Sequence, residues 1–172
     1  MRIAIASDHA GFPLKEEILP LVRALGHEAI DLGTHGTDPV DYPDYAVRGC
    51  EALLRGEADR AILFCGSGVG MSIVANKIPG IRAGNVEDHY SAHQGVEHDD
   101  MNVLVLGGRT IGSAVAADLV RAFLGATYTG EPRHARRLEK LLAVEANAEH
   151  YRGLVRPKDA RPATPRQPVP RT

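Results

Sequence analysis

The sequence has no tryptophan, little cysteine, few aromatic residues and no long apolar run. Its 172 residues include two cysteines and 5% aromatic residues. Two cysteines are too few for a disulfide framework, and Cys50 and Cys65 do not have metal-ligand spacing. No apolar run reaches the roughly 18 residues that a membrane-spanning helix needs. Because Met1 leads straight into an apparent strand, Arg2–Ser7, we expect a cytoplasmic protein without a signal peptide.

The chain does have the composition of one globular domain followed by a basic tail. It is 44% hydrophobic and 24% charged, as ordinary globular domains are. Residues 1–151 contain 14 basic and 21 acidic residues, whereas residues 152–172 contain six basic residues, five prolines and one acidic residue, Asp159. We therefore predict a domain over residues 1–151 and a basic, proline-rich, disordered tail over residues 152–172. A solvated tail is favoured over one that contacts acidic partners.

Short apolar runs alternate with helical patterns along residues 1–150. We predict strands at Arg2–Ser7, Glu28–Leu32, Arg60–Cys65, Ile81–Gly84 and Asn102–Leu106. Predicted helices follow them: one that Gly26 ends, then Tyr45–Leu54, one from Gly68 to before Pro79, Glu87–Val96, Gly112–Leu124, and a last one from Pro132 to about His150. This order predicts an α/β fold, a Rossmann-like three-layer sandwich with a parallel five-stranded sheet and a C-terminal helix. Such folds bind ligands at the carboxyl ends of the strands.

A glycine-rich loop, Cys65-Gly-Ser-Gly-Val-Gly70-Met-Ser, follows the third predicted strand. Its glycines let the backbone approach a ligand, and the amides that open the next helix face an anion such as a phosphate or an enolate oxygen. A P-loop is disfavoured because Met71 replaces its lysine, and the Gly-x-Gly-x-Gly spacing disfavours a dinucleotide site. A thiolate at Cys65 could take a carbon-bound proton or attack a carbonyl. The residues alone equally allow a buried structural cysteine.

Two segments with histidine are further candidates. Asp8-His9 follows the first strand, where the pair can bind hydroxyls or phosphate, and Asp8 can also cap the following helix. His98 lies close to the loop before the last strand, where general acid–base catalysis is a reasonable role. His89 and His93 lie four residues apart on a helix, but exposed side chains are favoured over a metal site because the surroundings match no zinc signature.

Arginines at one helix start suggest an anion site. Arg133 and Arg137 lie on one face of the last predicted helix. Positive charge is unfavourable at a helix N-terminus by about 0.3–1 kcal/mol per residue, unless an anion binds there. We therefore favour a phosphate clamp over a solvated face paired with Glu131 or Glu139. Arg109, in a Gly-Gly-Arg turn after a strand, is another candidate member of the clamp.

Together these segments resemble the ribose/galactose isomerase family, which includes ribose-5-phosphate isomerase B and the galactose-6-phosphate and allose-6-phosphate isomerases. The resemblance rests on Ser7-Asp-His-Ala-Gly-Phe, Asp41-Tyr-Pro, the Cys65 loop, Ala75-Asn-Lys, Asn102-Val-Leu and Arg133-His-Ala-Arg-Arg. Their order and spacing match over about residues 1–150. The resemblance implies a cofactor-free and metal-free aldose–ketose isomerase of carbohydrate metabolism, with ribose 5-phosphate and ribulose 5-phosphate as the leading pair.

The resemblance also implies the role of each site residue. Cys65 would shuttle a proton between C1 and C2 through a cis-enediolate, and His98 would help to open the furanose ring. The enediolate oxygens would be held by the loop, through Gly66, Ser67, Gly68, Val69 and Gly70, with Ser67 contributing its hydroxyl. Asp8 and Tyr42 would contact the sugar. The phosphate would be held by His9, Arg109, Arg133 and Arg137.

Subunit structure and two departures complete the expectation. In the family the site lies between subunits, so a homodimer or tetramer is expected, with some residues from the partner chain and no nucleic-acid or membrane partner.

Asp99 replaces a substrate-contacting Asn, adding a negative charge and removing an amide donor, which bears on the choice of sugar. Glu131-Pro132 replaces a common Gly-Gly and would re-aim Arg133. The alternatives are another sugar phosphate, from tetrose to hexose, or a non-catalytic sugar-phosphate-binding subunit.

Overall fold

The computed structural model describes residues 1–154. In this range the strands are β1 (Arg2–Ser7), β2 (Glu28–Asp31), β3 (Arg60–Cys65), β4 (Ala83–Asn85) and β5 (Val103–Gly107). The helices are α1 (Phe12–Ala24), α2 (Tyr42–Leu54), α3 (Val69–Ala75), α4 (His89–Asp99), α5 (Ser113–Gly125), α6 (Pro132–Ala146) and α7 (Ala148–Gly153). None of the helices in residues 1–154 is both long and apolar enough to cross a membrane.

The five strands form one parallel sheet in the order β2-β1-β3-β5-β4. The chain moves from β1 to one edge and then, from β3 onwards, to the other, so β1 and β3 flank the point where the strand order reverses. Loops diverge at such a point and leave a crevice at the carboxyl ends of the strands. Ser7 pairs with Phe64 in the register, and the Asp8 amide donates to the Phe64 carbonyl at 3.1 Å. Asp8 therefore lies beside Cys65.

Helices cover both faces of the sheet. Successive side chains of β3 point to opposite faces, and each face has its own core. Ile62 and Phe64 point into an apolar core shared with α1, α4 and α5, whereas Leu63 and Cys65 point into a second core shared with α2 and α3. All four side chains are at most 5% exposed. Strands buried on both faces are apolar at successive positions, as here. The predicted three-layer α/β fold with a five-stranded parallel sheet is confirmed.

The chain divides into two compact units. The first, residues 1–138, contains the whole sheet, and the second begins at Glu139, within α6. The described part of the second unit is the remainder of α6 together with α7. Its apolar side chains Leu141, Leu142 and Val144 are exposed.

Several element boundaries differ from the prediction for local reasons. β4 begins at Ala83 rather than Ile81, because the Arg82 amide bonds to the Asn102 side chain at 2.8 Å instead of entering the ladder there. α4 begins at His89, where the Asp88 side chain accepts a hydrogen bond from the Ser91 amide at 2.8 Å. Such a cap satisfies an amide that the first helical turn leaves unpaired.

The predicted C-terminal helix is present and begins at Pro132 as expected, but it ends at Ala146 and not near His150. Asn147, with φ −98° and ψ 27°, separates α6 from α7, and asparagine is a preferred residue at the start of a helix. Arg152 and Gly153 of the predicted tail end α7, and Leu154 follows as its C-cap. The rest of that tail, residues 155–172, lies outside the described residues, so the division after residue 151 stays a prediction.

Candidate active site

A cavity of about 430 Å³ lies where the loops after β1, β3 and β5 meet. This volume is in the range of small-molecule sites. Ten residues line it: Asp8, His9, Ala10, Tyr42, Cys65, Gly66, Ser67, Gly70, Arg109 and Thr110. Eight of them were predicted from the sequence, and Ala10 and Thr110 were not. The cavity therefore joins motifs that lie up to about a hundred residues apart in the chain.

Cys65 is the last residue of β3, and its side chain lies at the cavity wall with 5% exposure. The Gly68 amide donates a hydrogen bond to its Sγ at 3.1 Å. An amide donor interacts more strongly with an anionic acceptor than with a neutral one, so the sulfur has a partner that a thiolate would use. Cys50 is different: it is fully buried in the second core, and burial raises the pKa of its thiol to about 11.

Two glycines allow the loop after β3 to take its shape. Gly68, which precedes α3, has φ +79°, a left-handed conformation that other residues rarely adopt. At Gly70, a Cβ atom would lie 2.8 Å from the Tyr42 ring, so the ring packs directly on the glycine backbone. Hydrogen bonds from the Gly108 amide to the Cys65 carbonyl and from the Arg109 amide to the Gly66 carbonyl, at 2.8 and 2.9 Å, fasten the loop after β5 to this loop.

Asp8 lines the cavity and closes the turn before α1, but it does not cap α1 itself as the sequence predicted, because the N-cap of α1 is Gly11 and no side-chain hydrogen bond caps the helix. Its Oδ1 accepts hydrogen bonds from the Ala10 and Gly11 amides, each at 2.9 Å. His9 is held by the next loop, because the Val40 amide donates to its Nδ1 at 3.1 Å. A ring nitrogen that accepts carries no hydrogen, so the neutral ring carries its hydrogen on Nε2. His9, which lines the cavity, thus has an Nε2–H that can donate a hydrogen bond.

The cationic residue that lines the cavity is Arg109. Its side chain runs past Gly66, within 3.6 Å of where a Cβ on that glycine would lie. Within residues 1–154, no ion pair ties Arg109 to a carboxylate. A guanidinium without such a partner, in the same cavity as His9, suits a phosphate group.

A second group of predicted residues does not line this cavity: Gly68, Val69, His98, Asp99, Arg133 and Arg137. Gly68 and Val69 belong to the same loop, although the Val69 side chain is 52% exposed. His98 and Asp99 occupy the last turn of α4, whereas the sequence placed them beyond the end of that helix. Arg133 and Arg137 lie in the first turns of α6, and Arg133 pairs with Glu131 at 2.9 Å on the surface.

The histidines considered for a metal site form ordinary surface pairs. His89 Nδ1 lies 3.0 Å from an Asp118 carboxylate oxygen, and His93 Nδ1 lies 3.3 Å from Glu97. Both side chains are substantially exposed, at 60% and 40%. In the described part of the chain, no group of three or more His, Cys, Asp or Glu residues is arranged to hold a metal ion.

Sequence reasoning did not single out three residues with notable positions in the structure. Thr110 directly follows Arg109 and lines the cavity, a position that the loop itself could have indicated. Asn85, at the end of β4, lies across Gly68 and donates to the Ser67 carbonyl at 3.4 Å. His134 belongs to the Arg133-His-Ala-Arg-Arg motif but is buried, with 1% exposure. No local pattern distinguishes Asn85 or His134 from an exposed polar residue.

Comparisons with known proteins identify the family of the chain. A profile of the ribose/galactose isomerase family matches residues 3–141. The chain is 46% identical over 144 residues to ribose-5-phosphate isomerase B of Escherichia coli (84% of this chain, 96% of that one) and 38% identical over 148 residues to D-erythrulose-4-phosphate isomerase 2 of Mycolicibacterium smegmatis (84% and 97%). The solved structure of ribose-5-phosphate isomerase B from Clostridium thermocellum superposes with a TM-score of 0.83, at 46% identity (86% and 99%). The chain therefore belongs to the ribose/galactose isomerase family and is a sugar-phosphate isomerase of the aldose–ketose type.

Proposed function

We propose that this isomerase interconverts ribose 5-phosphate and ribulose 5-phosphate, with Cys65 as the base. The observation that carries the proposal is the position of Cys65 Sγ, at the wall of the cavity and 3.1 Å from the Gly68 amide nitrogen. A thiolate needs both a stabilising donor and access to substrate, and a buried structural cysteine such as Cys50 has neither.

The proposed reaction moves one proton between adjacent carbons. In the open-chain aldose, Cys65 removes the C2 proton, and the electron pair forms the double bond of a cis-enediolate while the C1 oxygen becomes anionic. The same thiol then returns a proton to C1, while the proton on the C2 oxygen passes to the C1 oxygen, so that C1 carries a hydroxyl and C2 a carbonyl. Amides of Gly66–Gly70 and the Ser67 hydroxyl hold the developing oxyanion, the kind of interaction that is worth about 3–4 kcal/mol per donor when it is preorganised.

The remaining cavity residues anchor the ends of the substrate. Asp8 and Tyr42 contact the sugar hydroxyls, and Arg109 and His9 bind the phosphate. Anchoring the phosphate holds the reacting carbons near the sulfur, and such positioning contributes a large part of catalysis in reactions of this kind. The proposed chemistry uses no cofactor.

A second copy of the chain would complete the site. A phosphate dianion is better matched by several arginines than by Arg109 alone. His98, Asp99, Arg133 and Arg137 do not line the cavity of their own chain, and together they would supply a ring-opening acid and further phosphate ligands. We therefore expect a homodimer or a larger oligomer with its active sites between subunits, located in the cytoplasm.

Because Asp99 replaces the family's Asn, a second group of sugar phosphates is a candidate for the substrate. The family's Asn at this position contacts substrate, and a carboxylate would accept from a hydroxyl where an amide can also donate. The Mycolicibacterium smegmatis relative is named for a four-carbon sugar phosphate. Isomerisation of a tetrose phosphate, or of a six-carbon sugar phosphate, is thus the alternative, and a non-catalytic subunit that binds sugar phosphates is the remaining one.

A substrate panel tests the proposal. Turnover is measured with four-, five- and six-carbon sugar phosphates for the native chain, for Asp99→Asn and for Cys65→Ala. We expect the native chain to prefer ribose 5-phosphate and Cys65→Ala to lose turnover while it still binds ribose 5-phosphate by calorimetry. Normal turnover in Cys65→Ala would contradict the role of the thiol. An unchanged sugar preference in Asp99→Asn would show that position 99 does not set specificity.

A further inference from the structure

His134 is a buried side chain to which the proposed reaction gives no role. It is 1% exposed, in a helix whose other side chains are partly or fully exposed. Arg133 and Arg137, on either side of it in the sequence, are proposed phosphate ligands. A histidine buried between two arginines needs a structural or functional reason, because burying a polar ring without partners is unfavourable.

The reason lies in its contact with His98. The two rings pack with their centroids 3.9 Å apart and their planes tilted by 41°. This contact joins the last turn of α4 to the first turn of α6. It therefore holds together the proposed ring-opening acid and the helix start that carries the two arginines.

The hydrogen bonds around the pair define which nitrogen of His134 carries a hydrogen. Thr129 donates its hydroxyl hydrogen to the Glu97 carbonyl at 3.1 Å, and its amide donates to the same carbonyl. This carbonyl is one of those that the end of α4 leaves without a helical partner. The Thr129 oxygen, 3.1 Å from His134 Nδ1, then has only lone pairs to offer. In this arrangement of the Thr129 hydroxyl, His134 carries its hydrogen on Nδ1.

The hydrogen on His98 is placed by the same reasoning. The Gln94 side-chain nitrogen lies 2.7 Å from His98 Nδ1, and an amide nitrogen can only donate. His98 Nδ1 therefore accepts, and the hydrogen of the neutral ring is on Nε2. This leaves Nε2–H as the group that can donate to a sugar oxygen.

The charge of His134 fits this arrangement. Burial and then the neighbouring His98 and Arg133 lower the pKa of His134, while Glu131 acts in the opposite direction and Arg137 adds to the lowering. A neutral His134 ring does not repel the two arginines. Nor does it repel the His98 ring when His98 is charged.

We propose that His134 is a positioning residue for His98: its neutral, buried ring fixes the orientation in which His98 presents Nε2–H to the substrate. The proposal rests on the proposed function, in which His98 opens the furanose ring. His134 itself does not touch the substrate.

The test separates ring opening from proton transfer. Ribose 5-phosphate can close to a furanose through its C4 oxygen, whereas ribulose 5-phosphate would need its C5 oxygen, which carries the phosphate, so it stays open. Conversion of ribose 5-phosphate thus requires ring opening, but deuterium exchange at C1 of ribulose 5-phosphate in D₂O does not. Both are measured for His134→Asn, with His89→Asn, an exposed histidine outside the site, as the control.

We expect His134→Asn to slow conversion of ribose 5-phosphate by at least about tenfold, and by as much as about a hundredfold, as a small misplacement of a catalytic group can. Exchange in ribulose 5-phosphate should stay within about threefold of native, and the control should match the native protein in both assays. An equal loss of conversion and exchange, or native conversion in His134→Asn, would overturn the proposal.

Nitrogen NMR of the native protein gives a readout that does not depend on whether the variant folds. The ring nitrogens should report hydrogen on Nδ1 of His134 and on Nε2 of His98, and the His98 signals should shift in Thr129→Val, which removes the acceptor of His134. A charged His134, or hydrogen on its Nε2, would overturn the proposal. Native conversion of ribose 5-phosphate by His98→Asn would instead refute the proposed role of His98 in ring opening. The proposal for His134 would then fail with it, whatever hydrogen positions the NMR shows.

Discussion

Replacing Lys15 with Met removes the cation of a buried ion pair that supports the candidate site. The Lys15 side chain is 0% exposed, and its ammonium lies 2.7 and 2.9 Å from the two oxygens of Asp31 and 2.8 Å from the Thr34 carbonyl. Thr34 and Gly33 in turn bond to the Ser7 backbone, directly before Asp8-His9. Lys15 thus fastens the loop after β2 to the end of β1, next to the cavity residues Asp8 and His9.

The expected cost follows from burial. Removing one partner of a buried pair costs about 3–5 kcal/mol, because the other charge loses its compensation. Because Asp31 is 23% exposed, the lower end of this range applies. We therefore expect the free energy of unfolding to fall by about 3 kcal/mol. For a domain of this size that corresponds to a decrease of roughly 6–12 °C in melting temperature. Adding Asp31→Asn should recover at least half of the loss, because no unpaired charge then remains.

Chemical and thermal denaturation provide the assay, and Arg55→Met provides the matched control. Arg55 pairs with Glu51 at the same 2.7 Å, but both side chains are about half exposed or more, at 62% and 47%. Exposed pairs four residues apart on a helix contribute about 0.5 kcal/mol or less. Equal losses in the Lys15 and Arg55 variants, or a loss below about 1 kcal/mol for Lys15→Met, would refute the argument from burial.

Two further predictions concern the second cysteine and the glycine loop. Because burial raises the pKa of Cys50 from its ordinary value near 9 to about 11, the unfolded thiol ionises first, and the stability that is fully present below pH 9 is lost as the pH rises towards 11. Between pH 8 and pH 10, the free energy of unfolding of the native chain should fall by about 1.4 kcal/mol more than that of Cys50→Ala in urea titrations; parallel curves would contradict this. Gly70→Ala would place a Cβ 2.8 Å from the Tyr42 ring and should lower kcat/KM by about tenfold, whereas Gly112→Ala, with nothing within 4 Å, should match native kinetics; native kinetics in both variants would show that the Tyr42 packing is unimportant.

The parts of the fold that depend on local pattern were predictable from the sequence. β1 and β3 are apolar at successive positions and end at polar or glycine residues, so their bounds agree with the prediction. β4 is short and begins later than predicted, because the Arg82 amide bonds to the Asn102 side chain. These two residues lie 20 apart in the chain. The break at Asn147 could be anticipated only from the cap preference of asparagine, which competes there with a strongly amphipathic helical pattern.

Most residues that line the cavity were predictable from the sequence, but their supporting contacts were not. The glycine loop indicated an oxyanion site, yet composition alone left Cys65 open between base and core residue. The Gly68 amide at its sulfur became visible only in three dimensions. Lys15 and His134 follow surface-like patterns in the sequence, and each is buried against a residue far from it in the chain, Asp31 and His98 respectively. Burial of this kind depends on tertiary contacts and not on helical spacing.

The most direct test of Cys65 as the base is deuterium exchange at C1 of ribulose 5-phosphate. This open-chain substrate needs neither ring opening nor turnover to ribose 5-phosphate, so exchange in D₂O reports removal of the carbon-bound proton alone. The native chain should incorporate deuterium at C1, and Cys65→Ala should lose exchange by at least about a hundredfold while calorimetry shows that it still binds ribulose 5-phosphate. Exchange at the native rate in Cys65→Ala would contradict the central claim.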